Sequence, residues 1–155
     1  MKRLFRPLVP LTFLLLLGSP VAFAAGPDVA ALIPAEAVQK FVTGSTVVVK
    51  GEPGRKDKVA YVDKQYPTMP MATIRILPSK NPAADLKGEV ATATKFMGLT
   101  AAPVKGIGDE AFHEPSFNTL YFRKGGAVVI VGAAKDAGAI KVDLMGLGKM
   151  IAGKL

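Results

Sequence analysis

The 155-residue chain carries 20 Lys and Arg against 12 Asp and Glu, with one histidine, no cysteine and no tryptophan. Without cysteine there are no disulfides, no thiolate chemistry and no Cys-ligated metal. Half of the residues are hydrophobic, too many for a disordered chain, and the length suits one domain around a single core.

Met1–Ala24 has the three parts of a secretory signal: cations at Lys2, Arg3 and Arg6, an apolar run Leu8–Leu17, and small residues bracketing Ala22-Phe23-Ala24. Cleavage is expected after Ala24, leaving residues 25–155 as one domain in a periplasm or outside the cell. The apolar run is short for a membrane span, with Pro7 and Pro10 at its near end. No transmembrane segment is therefore expected after the signal is removed. No cysteine follows the run to carry a lipid. Losing three cations lowers the net charge from +8 to +5, 17 Lys and Arg against 12 acids. That mild basicity favours anionic surfaces but supplies no stripe for nucleic acid.

Gly26–Ala31 reads as a lead-in. Ile33–Gly44 reads as a helix with Pro34 at its first position, Glu36 in the first turn and Gly44 past its end. Thr46–Val49 is β-branched and reads as a strand, and Gly51–Lys58 as a solvated, charged turn. Val59–Asp63 and Met71–Leu77 are two further strands. In the second, Ala72, Ile74 and Ile76 share one face, while Met71, Thr73 and Arg75 share the other. Asn81 as N-cap and Pro82 behind it open a helix to Met97 that stops at Gly98. Its stripe is Leu86, Val90, Ala93 and Met97.

Phe117–Arg123 alternates, Lys124-Gly125-Gly126 supplies a tight turn, and Ala127–Val131 is wholly apolar. An apolar strand of this kind belongs in the middle of a sheet, covered on both faces. A turn at Lys135–Gly138 leads to a last helix with Ile140, Leu144, Leu147, Ile151 and Leu155 at helical spacing. Gly146 and Gly148 inside it point to close approach of a neighbouring strand. The fold class is α+β: a mainly antiparallel sheet of about five to six strands with three helices, arranged as a layered sandwich.

The segment Val104-Lys105-Gly106-Ile107-Gly108-Asp109-Glu110-Ala111-Phe112 resembles the V-x-G-[IL]-G-D-x-A-[FY] loop of small exported bacterial α+β domains, many of them lipoproteins of unknown function. Leu120–Gly125, Val129–Val131 and Ala152–Leu155 fit the strands and closing helix that usually follow. The resemblance implies a PsbP-like sandwich architecture and no catalytic residues. This chain lacks those lipoproteins' cysteines, so neither lipid anchoring nor a disulfide carries over.

Gly106, Gly108 and Asp109 read as a structural loop, with Asp109 accepting backbone hydrogen bonds just downstream. The sharper alternative, a hard-cation site of Asp109, Glu110 and Glu114, lacks the ligand spacing such a site needs. His113 has no nucleophile-elbow serine in its company. Met69 and Met71 offer two soft thioethers that, with His113, compose a Cu(I) alternative. Arg75, Tyr121 and Arg123 fall on the other faces of their strands from Ile74, Leu120 and Phe122. There they would form a cationic-aromatic contact patch for an anionic ligand or partner, or else a polar face covered by a helix.

These features predict an exported binding or accessory domain with no chemistry of its own and no cofactor. It would act on a partner protein or an anionic envelope component. The alternative is a periplasmic Cu(I)-handling protein using Met69, Met71 and His113.

Overall fold

The computed structural model describes residues 26–135 and 138–155. The predicted signal at residues 1–24 lies outside them, as do Asp136 and Ala137 of the predicted Lys135–Gly138 turn. Asp28 caps a first short helix, α1 (Val29–Leu32), accepting the Ala31 N–H at 3.2 Å. The expected single helix from Ile33 is instead α1, a break, and α2 (Ala35–Gln39). Pro34 accounts for the break, because its ring clashes with an α-helical residue before it, and Ile33 is accordingly extended at φ −127°. Helix α2 also ends early. The Gln39 amide donates to the Val42 and Ser45 carbonyls and accepts the Val47 N–H. That clamp turns the chain into strand β1 (Val42–Thr43), where β-branched residues prefer to be.

Strands β2 (Val47–Glu52) and β3 (Arg55–Asp63) form a hairpin, and β4 (Pro70–Pro78) pairs with β3. The expected polar turn at Gly51–Lys58 shrinks to Pro53-Gly54. The charges there pair with one another: Lys58 reaches across the hairpin to Glu52 at 2.6 Å, and Arg55 pairs along its own strand with Asp57 at 2.9 Å. Helix α3 (Pro82–Met97) starts on Asn81 and stops at left-handed Gly98, as its capping residues predict. It crosses one sheet face to β5 (Ala102–Val104), followed by β6 (Glu110–Glu114), β7 (Thr119–Lys124) and β8 (Ala127–Ala133). Strand β9 (Lys141–Val142) pairs with β1 in a separate ribbon, and α4 (Leu144–Lys154) closes the described chain. Ile140, expected inside that helix, precedes it, because Asp143 caps the helix by accepting the Gly146 N–H at 2.8 Å.

The architecture is α+β, with a seven-stranded antiparallel sheet, a two-stranded ribbon and four helices among the described residues. The order β2-β3-β4-β8-β7-β6-β5 joins two meanders through α3 and places β8 in the centre, three strands from either edge. That is where its apolar sequence puts it. Val129 and Val131 enter the main core with Tyr61, Ile74, Leu120 and Phe122, under α1, α2 and α4. Val128 and Ile130 face the other way, into a smaller core with Leu86, Ala93 and Tyr121 beneath α3. Gly148 of α4 lies so close to Leu120 of β7 that a Cβ there would collide with it. The glycine admits the helix to the sheet.

Candidate functional site

The two ends of the sheet differ in chemistry. One end holds the β2–β3 turn and the β7–β8 turn at Gly125-Gly126. Here Asp109 does not accept from the backbone just downstream, as expected, but reaches the β7–β8 turn instead. Asp109 donates its N–H to the Arg123 carbonyl at 2.9 Å and accepts the Gly125 N–H at 3.0 Å, so it ties down a turn 16 residues away. Gly108 must have φ +57°, and a Cβ there would strike the Arg123 carbonyl. Ile107 between the glycines is buried in the main core. The hydrogen bond from Gly125, with help from Lys124 and Arg123, holds the Asp109 carboxyl below its ordinary range.

Arg123 pairs with Glu110 at 3.0 Å, and Arg75 with Asp57 at 3.2 Å. Hydrogen bonds from Arg55 and then Arg75 hold Asp57 at about 2. Tyr121 is on β7 two residues before Arg123, and is only 9% exposed beneath α3. Burial pushes its phenol up. The expected trio of Arg75, Tyr121 and Arg123 is thus on one side of the sheet, but the helix covers the ring and carboxylates neutralise both cations. The sequence places these three side chains on one face but misses that this face is itself a core. Met71, expected on the face of Arg75, packs instead in the main core, where a register irregularity interrupts the β3–β4 pairing.

The other end holds the β3–β4 connection, the β6–β7 turn and the end of α3. Its acids face inward. Buried Glu114 accepts the N–H groups of Ser116 and Phe117 at 2.5 and 2.7 Å. Burial alone would raise its carboxyl, and those N–H groups, with the Ser116 hydroxyl and the Lys135 charge, outweigh it and hold the value down. Glu114 lies at the far end of β6 from Glu110 and so cannot join Asp109 and Glu110 around a cation. Asp63 accepts the Ser45 hydroxyl and the N–H groups of Gln65 and Tyr66, and these bonds lower its pKa. His113 donates Nε2–H to Asn118 Oδ1 at 3.2 Å, bracing the β6–β7 turn.

The Met69, Met71 and His113 set is not brought together. Met71 is buried in the main core and Met69 is exposed in the turn before β4. His113 stands three strands from β4, about 14 Å at ordinary strand spacing. Among the described residues no three His, Cys, Asp or Glu side chains cluster to hold a metal.

Apolar surface collects at this second end. Among the described residues six large apolar side chains are exposed: Val49 on edge strand β2, and Tyr66, Met69, Phe96, Met97 and Phe117, the five being 56–81% exposed. Ala134 N–H bonds the Met71 carbonyl and Ala133 N–H the Asn118 carbonyl, which brings the β3–β4 connection and the β6–β7 turn to the same end. Helix α3 starts where Ser79 bonds Gly126, at the opposite end, and feeds β5, whose Ala102 pairs with His113. Its last turn, carrying Phe96 and Met97, therefore reaches that same end. Pro70 and Phe117 share a cleft of about 300 Å³ floored by Thr73, Gly132 and Thr119. Sequence reading misses this surface because its members are scattered along the chain. The one local sign is the adjacent pair Phe96-Met97, of which only Met97 belongs to the helix stripe.

No family model, no curated protein and no solved structure matches the chain.

Proposed function

We propose that the chain is an exported, non-enzymatic binding domain that holds an anionic component of the cell envelope through the end of the sheet bearing Tyr66, Met69, Phe96, Met97 and Phe117. The observation that carries this reading is the gathering at one end of five of the six large apolar side chains exposed among the described residues. Contiguous exposed apolar surface in a folded domain marks a contact site more often than scattered residues do. Lys64, Lys95 and Lys135 are exposed at the same end and make no ion pair with another described residue, which supports an anionic partner. The signal-like sequence at residues 1–24 and the resemblance of the Val104–Phe112 loop to exported domains support the location. The contact surface in this reading is away from Arg75, Tyr121 and Arg123.

Fractionation of an expressing bacterium tests it. The wild-type chain is expected in the envelope fraction, and a Phe96→Ser/Phe117→Ser variant at least fivefold more in the soluble exported fraction, with an unchanged unfolding midpoint. Equal distribution of the two proteins overturns the reading.

A further inference from the structure

The same end has a chemistry that names its partner more closely. The exposed apolar side chains come from three separate connections, and of the five only Phe117 lines the cleft beside Pro70. A folded protein partner must match three such projections in shape. A bilayer takes each side chain separately, because its headgroup boundary deforms around them. Tyr, Phe and Met are suited to that depth, the tyrosine keeping its hydroxyl among the headgroups. Lysines beside them can extend ammonium groups to lipid phosphates while their stems lie along apolar surface.

Charge points the same way. Asp63 and Glu114, the acids of the β3–β4 connection and the β6–β7 turn among the described residues, are buried against backbone N–H groups. Lys64, Lys95 and Lys135 remain exposed around the apolar side chains. All seven ion pairs among the described residues lie toward the opposite end, on the β2–β3 and β7–β8 hairpins and their neighbours. The exposed lysines described at the apolar end are complementary to an anionic leaflet.

We infer that this end docks on the surface of an anionic phospholipid bilayer. Tyr66, Met69, Phe96, Met97 and Phe117 enter the headgroup boundary, while Lys64, Lys95 and Lys135 meet lipid phosphates. The inference rests on the binding-domain reading above and specifies its partner. No step requires a helix to cross the membrane, and no helix among the described residues is long and apolar enough to do so. The domain lies on the surface.

The test is vesicle flotation with the protein recovered after export, comparing phosphatidylglycerol-containing vesicles with pure phosphatidylcholine vesicles. Wild type is expected to partition at least tenfold more strongly onto the anionic vesicles, and to be released by 0.5 M salt, which shortens the screening length to a few ångströms. Lys64→Ala/Lys95→Ala/Lys135→Ala should weaken partitioning by about a hundredfold, roughly fivefold per lysine. Phe96→Ser/Phe117→Ser should weaken it at least tenfold. All these positions are exposed, so unfolding midpoints should stay within about a degree or two of wild type. Equal binding to both vesicle types, or variants that bind as wild type does, overturns the lipid inference. If Phe96→Ser/Phe117→Ser abolishes envelope retention in cells while protein-free anionic vesicles capture nothing, a protein partner occupies the surface. The lipid inference then falls and the binding-domain reading stands. If neither retention nor vesicle binding responds, both fall.

Discussion

The two ends of the sheet solve opposite problems with the same residue types. At the β2–β3 and β7–β8 end, carboxylates face arginines and lysines, and every ion pair among the described residues is found there or one strand row away. The charges end on each other. At the opposite end Asp63 and Glu114 turn inward to cap the β3–β4 and β6–β7 turns, and Lys64, Lys95 and Lys135 form no ion pair with another described residue, Lys135 acting on Glu114 only through its charge. Helix α3 spans the contrast. Its first half is anchored, with Leu86 buried against Tyr121 and Val128, and its last turn carries Phe96 and Met97 into solvent. A side chain that contributes to folding at one end is free for contact at the other.

The sharpest way to break the comparison is along that helix. Leu86→Ala removes a fully buried side chain and should cost about 3 kcal/mol, read as a lowered urea midpoint at constant slope. Met97→Ala, eleven residues on along the same stripe, should change stability by no more than about 0.5 kcal/mol. Similar losses at both positions would mean that the last turn is covered, and the open end would not exist. Within the open end, Glu114→Ala should cost about 2 kcal/mol, because it strands two N–H groups in a buried turn. Phe117→Ser next to them should be nearly neutral in the same urea titration. A costly Phe117→Ser would show that the ring is needed for the turn and is not a contact residue.

How much of this was legible in the sequence depended on how local the cause was. The β7–β8 hairpin and helix α3 are written in neighbouring residues: alternation before Gly125-Gly126 for one, Asn81-Pro82 and Gly98 for the other. The central place of β8 follows from its unbroken apolar run. The first helix was misread because its end is decided by the Gln39 side chain reaching Val42, Ser45 and Val47. The Gly51–Lys58 stretch resembles a loop because its charges look solvated, when they pair with one another along β3 and across the β2–β3 hairpin. Tyr121 and the open end were beyond local reading for a common reason. Which face α3 covers, and where it stops covering, is set by the crossover from β4 to β5. That crossover gathers Tyr66, Phe96 and Phe117 from distant parts of the chain.

The smallest expected effect separates the ends by pH. Asp57 belongs to the paired end, where hydrogen bonds from Arg55 and Arg75 hold it at about 2 against an unfolded value near 3.8. A carboxyl depressed on folding stabilises only while ionised. Its contribution is therefore complete above about pH 4 and is lost as the pH falls through 2. The pair is partly exposed and screened by water and salt, so the change is modest. Unfolding midpoints measured from pH 5 down to pH 2 should fall more steeply for wild type than for Asp57→Asn, and the two curves should converge toward pH 2. Added salt should shrink the difference, as it does for exposed pairs. Parallel curves across that interval would mean that Arg55 and Arg75 do not compensate Asp57. The paired end would then carry free cations of its own, and the charge contrast that selects the opposite end as the docking surface would be lost.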